Sequence, residues 1–248
     1  MIAGRYHLDA ELGAGGMGEV WRATDTAPGI DTDPGGRDTV ALKRVRTSHL
    51  AEGARERAAQ RLRAEADIAS GLEHPNIITV HRVEEHDGEP WLVMEYVDAP
   101  NLAELTRDTP MSPRRAAAIG AQVAEALAYA HARTPGVLHR DVTPRNLLVG
   151  ADDHVTLTDF GISRHEGQDT ISTGARPFAG VAAYLAPEVA NGVRGGPKAD
   201  VFALAATLYA AVEGRSPWGD GELVQLLAGA VKGTVIPPRR AGELGPVM

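Results

Sequence analysis

The chain has 248 residues, 43% of them hydrophobic, with a formal net charge of -8 and no cysteine. That length suits one large domain or two smaller ones. The missing cysteines exclude disulfides, thiolate catalysis and cysteine-based zinc sites, and the acidic balance gives no electrostatic case for nucleic acid or anionic lipid as the main partner.

No basic segment followed by an apolar run opens the chain, and the longest apolar stretch, Val201 to Val212, is too short to span a bilayer. It reads as a buried core helix, and a cytoplasmic setting with no direct membrane insertion is expected. Arg5 to Ala23 reads as strand, glycine-rich turn, strand. Asp25 to Asp38, dense in Asp, Gly, Pro and Thr, reads as a surface loop or insertion. Thr39 to Val45 alternates like a half-buried strand. Ala54 to Gly71 has spaced alanines, many charges and no proline, as a helix would. Two strands, Ile77 to Glu84 and Pro90 to Tyr96, flank the hairpin signal Asp87-Gly88.

The character changes after Asp98. Ser112-Pro113 is an N-cap with proline at the first helical position, opening an alanine-rich helix to His131. A strand-loop-strand region spans Val137 to Thr158, a Gly/Ser/Thr-rich segment runs to Pro187, and helices follow. The expectation is an α+β, bilobal fold: a β-rich lobe with one main helix over residues 1–97 and a mainly helical lobe over 98–248, with a cleft at the joint.

The chemistry is concentrated in short motifs. Gly13-Ala-Gly15-Gly-Met-Gly18-Glu-Val20 has the form G-x-G-x-x-G-x-V, in which glycines let backbone N–H groups approach phosphates. By itself it is also a plain hairpin. A dinucleotide site would need a helix after it, whereas the strand-like Glu19 to Ala23 follows. Val40-Ala41-Leu42-Lys43 places a lysine on an apolar strand behind that flap. His139-Arg140-Asp141-Val-Thr-Pro-Arg-Asn146 is followed, thirteen residues beyond Asn146, by Asp159-Phe160-Gly161, and Ala186-Pro187-Glu188 closes the segment. Phosphoryl transfer is mainly positioning and charge neutralisation. Asp159 and Asn146 offer hard oxygen ligands for Mg²⁺, and Asp141 can accept the proton of an attacking hydroxyl.

In that order these motifs resemble the protein-kinase signature set, in the style of the bacterial Ser/Thr kinases, over nearly the whole chain. The resemblance implies ATP with Mg²⁺ (or Mn²⁺), a protein substrate and no nucleic acid. It implies that Lys43 meets the α/β-phosphates, that Glu65 orients Lys43, that Asp141 is the base, and that Asn146 and Asp159 hold metal. Glu52 and Glu56 compete with Glu65, which is preferred for lying nine residues before His74-Pro75-Asn76-Ile77. Leu12, Gly13, Gly15, Gly18, Val20 and Ala41 would lie above the nucleotide and Leu148 below it. Met94-Glu95-Tyr96-Val97 resembles the hinge that meets adenine. Asp200 to Leu204 resembles the start of the central buried helix. Arg140 would hold a phosphate on the activation segment, with Thr170, Ser172 and Thr173 as acceptors and autophosphorylation expected. Bacterial relatives also suggest a homodimer, or a cytosolic part of a longer membrane-bound kinase.

Three departures stand against the family pattern. Thr143 occupies the position of a lysine two residues after the catalytic aspartate, and Arg145 is the candidate substitute. Val181, in Gly180-Val-Ala-Ala-Tyr184, replaces a threonine that would bond that lysine and the aspartate. No D-P-x-x-R-P run follows Ser216-Pro217-Trp218 to supply a partner for Glu188, and Arg239 and Arg240 are the only late arginines. A buried, unpaired Glu188 would cost several kcal/mol, so an incomplete C-lobe is expected, with completion of the lobe by another chain or an exposed Glu188 as the alternatives. Two functions fit: an active kinase, expected because Lys43, Asp141, Asn146 and Asp159 are all present, and a nucleotide-binding pseudokinase serving as scaffold or switch. A small-molecule phosphotransferase of the aminoglycoside-kinase type would lack the A-P-E segment and this flap.

Overall fold

The computed structural model describes residues 1–15, 18–27, 38–45, 52–160 and 179–247. These form two compact units, one of residues 1–73 with 78–97 and one of 74–77 with 98–248.

The first unit is an antiparallel sheet with one long helix. Its strands are β1 (Tyr6–Gly15), β2 (Gly18–Asp25), β3 (Asp38–Arg44), β4 (Val80–His86) and β5 (Glu89–Glu95), in the spatial order β1-β2-β3-β5-β4. The period-two pattern gives each strand two faces. Tyr6, Ala23, Val40, Leu42, Trp91 and Val93 form a buried cluster on one face, with Trp21 packed against it. The opposite face carries Val20, Ala41, Lys43 and Met94, because Val20 pairs with Lys43 and Ala41 with Met94. The β4–β5 hairpin closes through Asp87 and Gly88 at φ of +52° and +71°, the pair of left-handed residues that a type I′ turn demands. Helix α1 (Glu52–Ser70) packs against β4 and β5.

The second unit holds α2 (Leu102–Leu105), α3 (Pro113–His131), the hairpin β6 (Leu147–Val149) and β7 (Val155–Leu157), α4 (Ala179–Ala182), α5 (Pro187–Ala190), α6 (Pro197–Glu213) and α7 (Leu223–Lys232). Ser112 caps α3 by accepting from the Arg115 N–H, with Pro113 opening the helix. Ala116, Ile119, Val123, Ala126, Leu127 and Ala130 recur at three- and four-residue spacing and form its buried stripe. Helix α3 packs on α6 and β7. Residues 74–77, placed with the first lobe by sequence, belong to this unit for a physical reason. Asn76 Nδ2 donates to Val155 O (2.7 Å) and to Gln122 Oε1 (3.0 Å), which ties the segment to β7 and α3. No helix among the described residues is long and apolar enough to cross a membrane.

Candidate active site

In the first unit, Gly13 pairs with Val20 and Gly15 with Gly18, so the motif's described glycines stand on two antiparallel strands. Gly18 is required there. Its φ is +138°, and a Cβ on it would run into the Arg44 carbonyl oxygen. Lys43 is 4% exposed, on the face shared with Val20 and Ala41. Leu12 is exposed, Met94 is buried, and Glu95 and Val97 are half-buried at and beyond the end of β5. Glu95 Oε2 accepts from the Thr79 N–H at 3.1 Å. Glu65 lies on α1, half-buried.

In the second unit the segment from His139 to Asn146 has little regular structure of its own, so its polar backbone groups need other partners. Most of them come from α6. The Asp200 carboxylate, 2% exposed in the first turn of that helix, accepts from the His139 N–H (2.8 Å), the Arg140 N–H (2.7 Å) and His131 Nε2 (2.8 Å). Two turns on, Thr207 Oγ1 donates to Val142 O at 3.1 Å. Arg140 thereby sits at φ +65°, a region rarely used by residues other than glycine.

His139 joins this segment to the chain after β7. The Asp141 N–H donates to its Nδ1 at 3.1 Å, so Nδ1 is the acceptor; the proton is therefore on Nε2, 2.8 Å from Thr158 O. Burial holds this imidazole below the ordinary histidine range, against the pull of the Asp200 and Asp141 carboxylates. Phe160 stacks edge-on against the ring at 4.6 Å. Asp159, between Thr158 and Phe160, takes φ of +65°.

Asp141 and Asn146 come together directly. Asn146 Nδ2 donates to Asp141 O (2.7 Å) and Asp141 Oδ2 (3.0 Å), while the Asn146 carbonyl accepts from the Thr158 N–H at 2.9 Å. Both amide hydrogens of Asn146 are spent, so its Oδ1 is the atom left for a ligand. Asp141 Oδ1 is buried and accepts no hydrogen bond among the described residues. Orphan acceptors of this kind are uncommon in folded proteins and occur where chemistry is done.

The departures look different in three dimensions. Thr143, 6% exposed, and Val181 line one small cavity of about 40 Å³ with Asp141 and Tyr184. Arg145 is exposed on the short 3₁₀ helix Pro144–Asn146. Burial pushes the Tyr184 hydroxyl above the ordinary tyrosine range, and the Arg145 charge opposes that rise. Leu148 is half-buried on β6. Glu188 is exposed in the first turn of α5. Of the alternatives expected from the missing arginine, the exposed Glu188 is the one found, so no buried carboxylate needs a partner here. The late Arg239 and Arg240 donate their backbone N–H groups to Glu213 Oε1. Gly161, Thr170, Ser172 and Thr173 lie outside the described residues.

Sequence reasoning gave no role to Asp200, Thr207 or the His139 ring. One signal was there: a carboxylate at the head of an apolar helix has to find donors if it is buried.

The family model for the protein kinase domain matches residues 6–234. The chain belongs to the protein kinase family and is a catalytic domain of the bacterial Ser/Thr type, with the bilobal α+β fold of that family. Among its relatives are serine/threonine-protein kinase PknJ of Mycobacterium tuberculosis, 38% identical over 230 residues (90% of this chain, 37% of the relative), and serine/threonine-protein kinase PrkC of Bacillus subtilis, 36% identical over 222 residues (89% and 32%). Serine/threonine-protein kinase PknB of Mycobacterium leprae is 35% identical over 248 residues (98% and 38%). The chain thus spans less than two fifths of the length of these curated relatives.

Proposed function

We propose that this protein transfers the γ-phosphate of ATP to Ser or Thr hydroxyls of protein substrates, and to hydroxyls of its own activation segment. The observation that carries the reading is the setting of Asp141: one carboxylate oxygen is fixed by Asn146 and the other is buried with no donor among the described residues. Such an oxygen suits acceptance of a proton from an incoming hydroxyl. The hydroxyl oxygen bonds to the γ-phosphorus, the bridging P–O bond to ADP breaks, and the proton passes to Asp141.

Lys43 and the backbone N–H groups of the Gly13–Gly18 hairpin are the groups suited to the nucleotide phosphates, and Glu65 to orienting Lys43. Met94, Glu95 and Val97 offer the adenine contacts, with Leu12, Val20, Ala41 and Leu148 as its apolar surroundings. Asn146 Oδ1 and the Asp159 carboxylate fit a small hard cation, and no cluster of three or more His, Cys, Asp or Glu side chains able to hold a metal occurs among the described residues. Two protein oxygens with phosphate oxygens and water completing the shell suit Mg²⁺, and Mn²⁺ accepts the same donors. When bound, the cation neutralises charge on the phosphates. Arg140 is a phosphate partner for Thr170, Ser172 or Thr173.

The test is transfer from labelled ATP, with Mg²⁺ and then Mn²⁺, by the wild type, Asp141→Asn and Asp159→Asn, with the phosphorylated residues mapped. Transfer by the wild type alone, onto Ser or Thr, is expected. Nucleotide binding without any transfer would sink the proposal and leave the scaffold reading.

A further inference from the structure

Beside the segment that carries Asp141, two polar side chains hold no hydrogen-bond partner. Arg145 is exposed on the 3₁₀ helix Pro144–Asn146 and makes no hydrogen bond or ion pair among the described residues. The Tyr184 hydroxyl makes no hydrogen bond among them either, although the residue is half-buried in the turn after α4. Tyr184 joins two places. With Asp141, Thr143 and Val181 it lines the small cavity of about 40 Å³. It also shares a second cavity wall with Pro144, the residue before Arg145. Tyr184 thus flanks the chain at residues 143 and 144, and the Arg145 charge reaches its hydroxyl.

The chemistry of the two groups is complementary. Burial raises the proton affinity of the Tyr184 hydroxyl, and the Arg145 guanidinium opposes the rise. The phenol therefore stays protonated at neutral pH, with an oxygen able to accept from a guanidinium N–H. Other cations in the wall are spoken for: Arg194 has a partner, and Arg140 is the phosphate partner proposed for the activation segment. Thr143 brings no charge to the cavity, and Val181 has no polar atom with which to orient one. An exposed arginine samples many rotamers, and holding it in one costs entropy. A phenol oxygen that accepts from it, beside a ring face that attracts cations, offsets that cost.

We propose that Tyr184 is a positioning residue for phosphoryl transfer: its hydroxyl holds the Arg145 guanidinium toward the phosphoryl group delivered at Asp141, and the Arg145–Tyr184 pair takes the place of the lysine and threonine that Thr143 and Val181 replace. This rests on the kinase reading. Arg145 is the group that meets the phosphoryl oxygens, and Tyr184 acts through it.

The test is a double-variant cycle in the full chain, read as kcat and KM for transfer from ATP to a peptide containing serine and threonine. Tyr184→Phe removes one oxygen and keeps the ring. It is expected to lower kcat about tenfold, the worth of a hydrogen bond to a charged group, and to shift the KM for ATP by less than about threefold. In the Arg145→Ala background the same substitution should change kcat by less than about twofold, because the group it orients is gone. A tyrosine that merely supports the fold would cost as much in both backgrounds. Thr143→Lys returns an ammonium to the wall beside Asp141, and there too Tyr184→Phe should lose most of its effect. The cycle with Arg145→Ala decides by itself where Thr143→Lys fails to fold. Equal losses from Tyr184→Phe with and without Arg145, or no loss in the wild type, would overturn the pairing and leave the kinase reading standing. Absence of transfer by the wild type would remove the kinase reading and the pairing with it.

Discussion

At the scale of single residues the site is defined by which atoms are already engaged. Asn146 spends both amide hydrogens on Asp141, and Asp141 keeps one buried oxygen open. Thr143 and Val181 remove a polar pair from the wall beside it, so no orphaned partner is created. In the proposed transfer the phosphate would lack the cation the family usually supplies, and Arg145 is the nearest replacement in sequence. Arg145→Ala is expected to lower kcat by about a hundredfold while shifting the KM for ATP by less than about threefold, because the lost interaction belongs to the transition state. Steady-state kinetics check this, and an unchanged kcat would remove Arg145 from the mechanism. Gly18→Ala places a Cβ against the Arg44 carbonyl at a φ that L residues avoid. It should cost at least about 2 kcal/mol, measured as a lower urea midpoint.

At the scale of elements, α6 is the platform for the segment from His139 to Val142. Residues 200 and 207 are two turns apart on one face, so a single helix fixes the backbone at both ends of the sequence from His139 to Val142. The two anchors differ in weight. Asp200→Asn exchanges a carboxylate oxygen for an amide that faces N–H donors inside the protein, and a loss of about 3 kcal/mol is expected. Thr207→Val removes one neutral hydrogen bond and should cost about 1 kcal/mol. Urea unfolding measures both, and kcat should fall more for Asp200→Asn. Equal effects from the two variants would contradict the ranking. The β-hairpins are simpler in origin: Asp87-Gly88 fixes the β4–β5 register through the turn alone.

At the scale of the whole molecule, the buried neutral His139 couples stability to pH. Its folded-state proton affinity lies below the ordinary histidine value of about 6.5. Between the two values the unfolded chain binds a proton that the folded chain does not. Stability is therefore full above about pH 6.5 and falls as the pH drops below it. Urea midpoints from pH 8 down to pH 5 should decline, and His139→Phe should flatten that slope even if it lowers every midpoint. A slope unaffected by the substitution would show that other groups control it. At lower pH a second loss follows. Burial pushes the Glu213 carboxyl up, but the N–H groups of Arg239, Arg240 and Ala241 outweigh it and hold it below the usual range. Its contribution is present above about pH 4.3 and is lost as the pH falls through the lower folded-state value.

The sequence by itself determined the local grammar of this protein. The hairpin at Asp87-Gly88, the Ser112-Pro113 helix start, the glycine flap and the order of the motifs are set by residues close together in the chain, where φ preferences, capping and period-two alternation act directly. The fold class and the family followed from those signals. Tertiary structure decided what the motifs rest on. Asp200 meets His139 and Arg140 across about sixty residues of chain, and Asn76 meets Val155 across 79, pairings that no local preference encodes. Burial likewise decided that Glu188 faces solvent and that His139 is neutral, because solvation and charge depend on everything packed around a group and not on its neighbours in sequence.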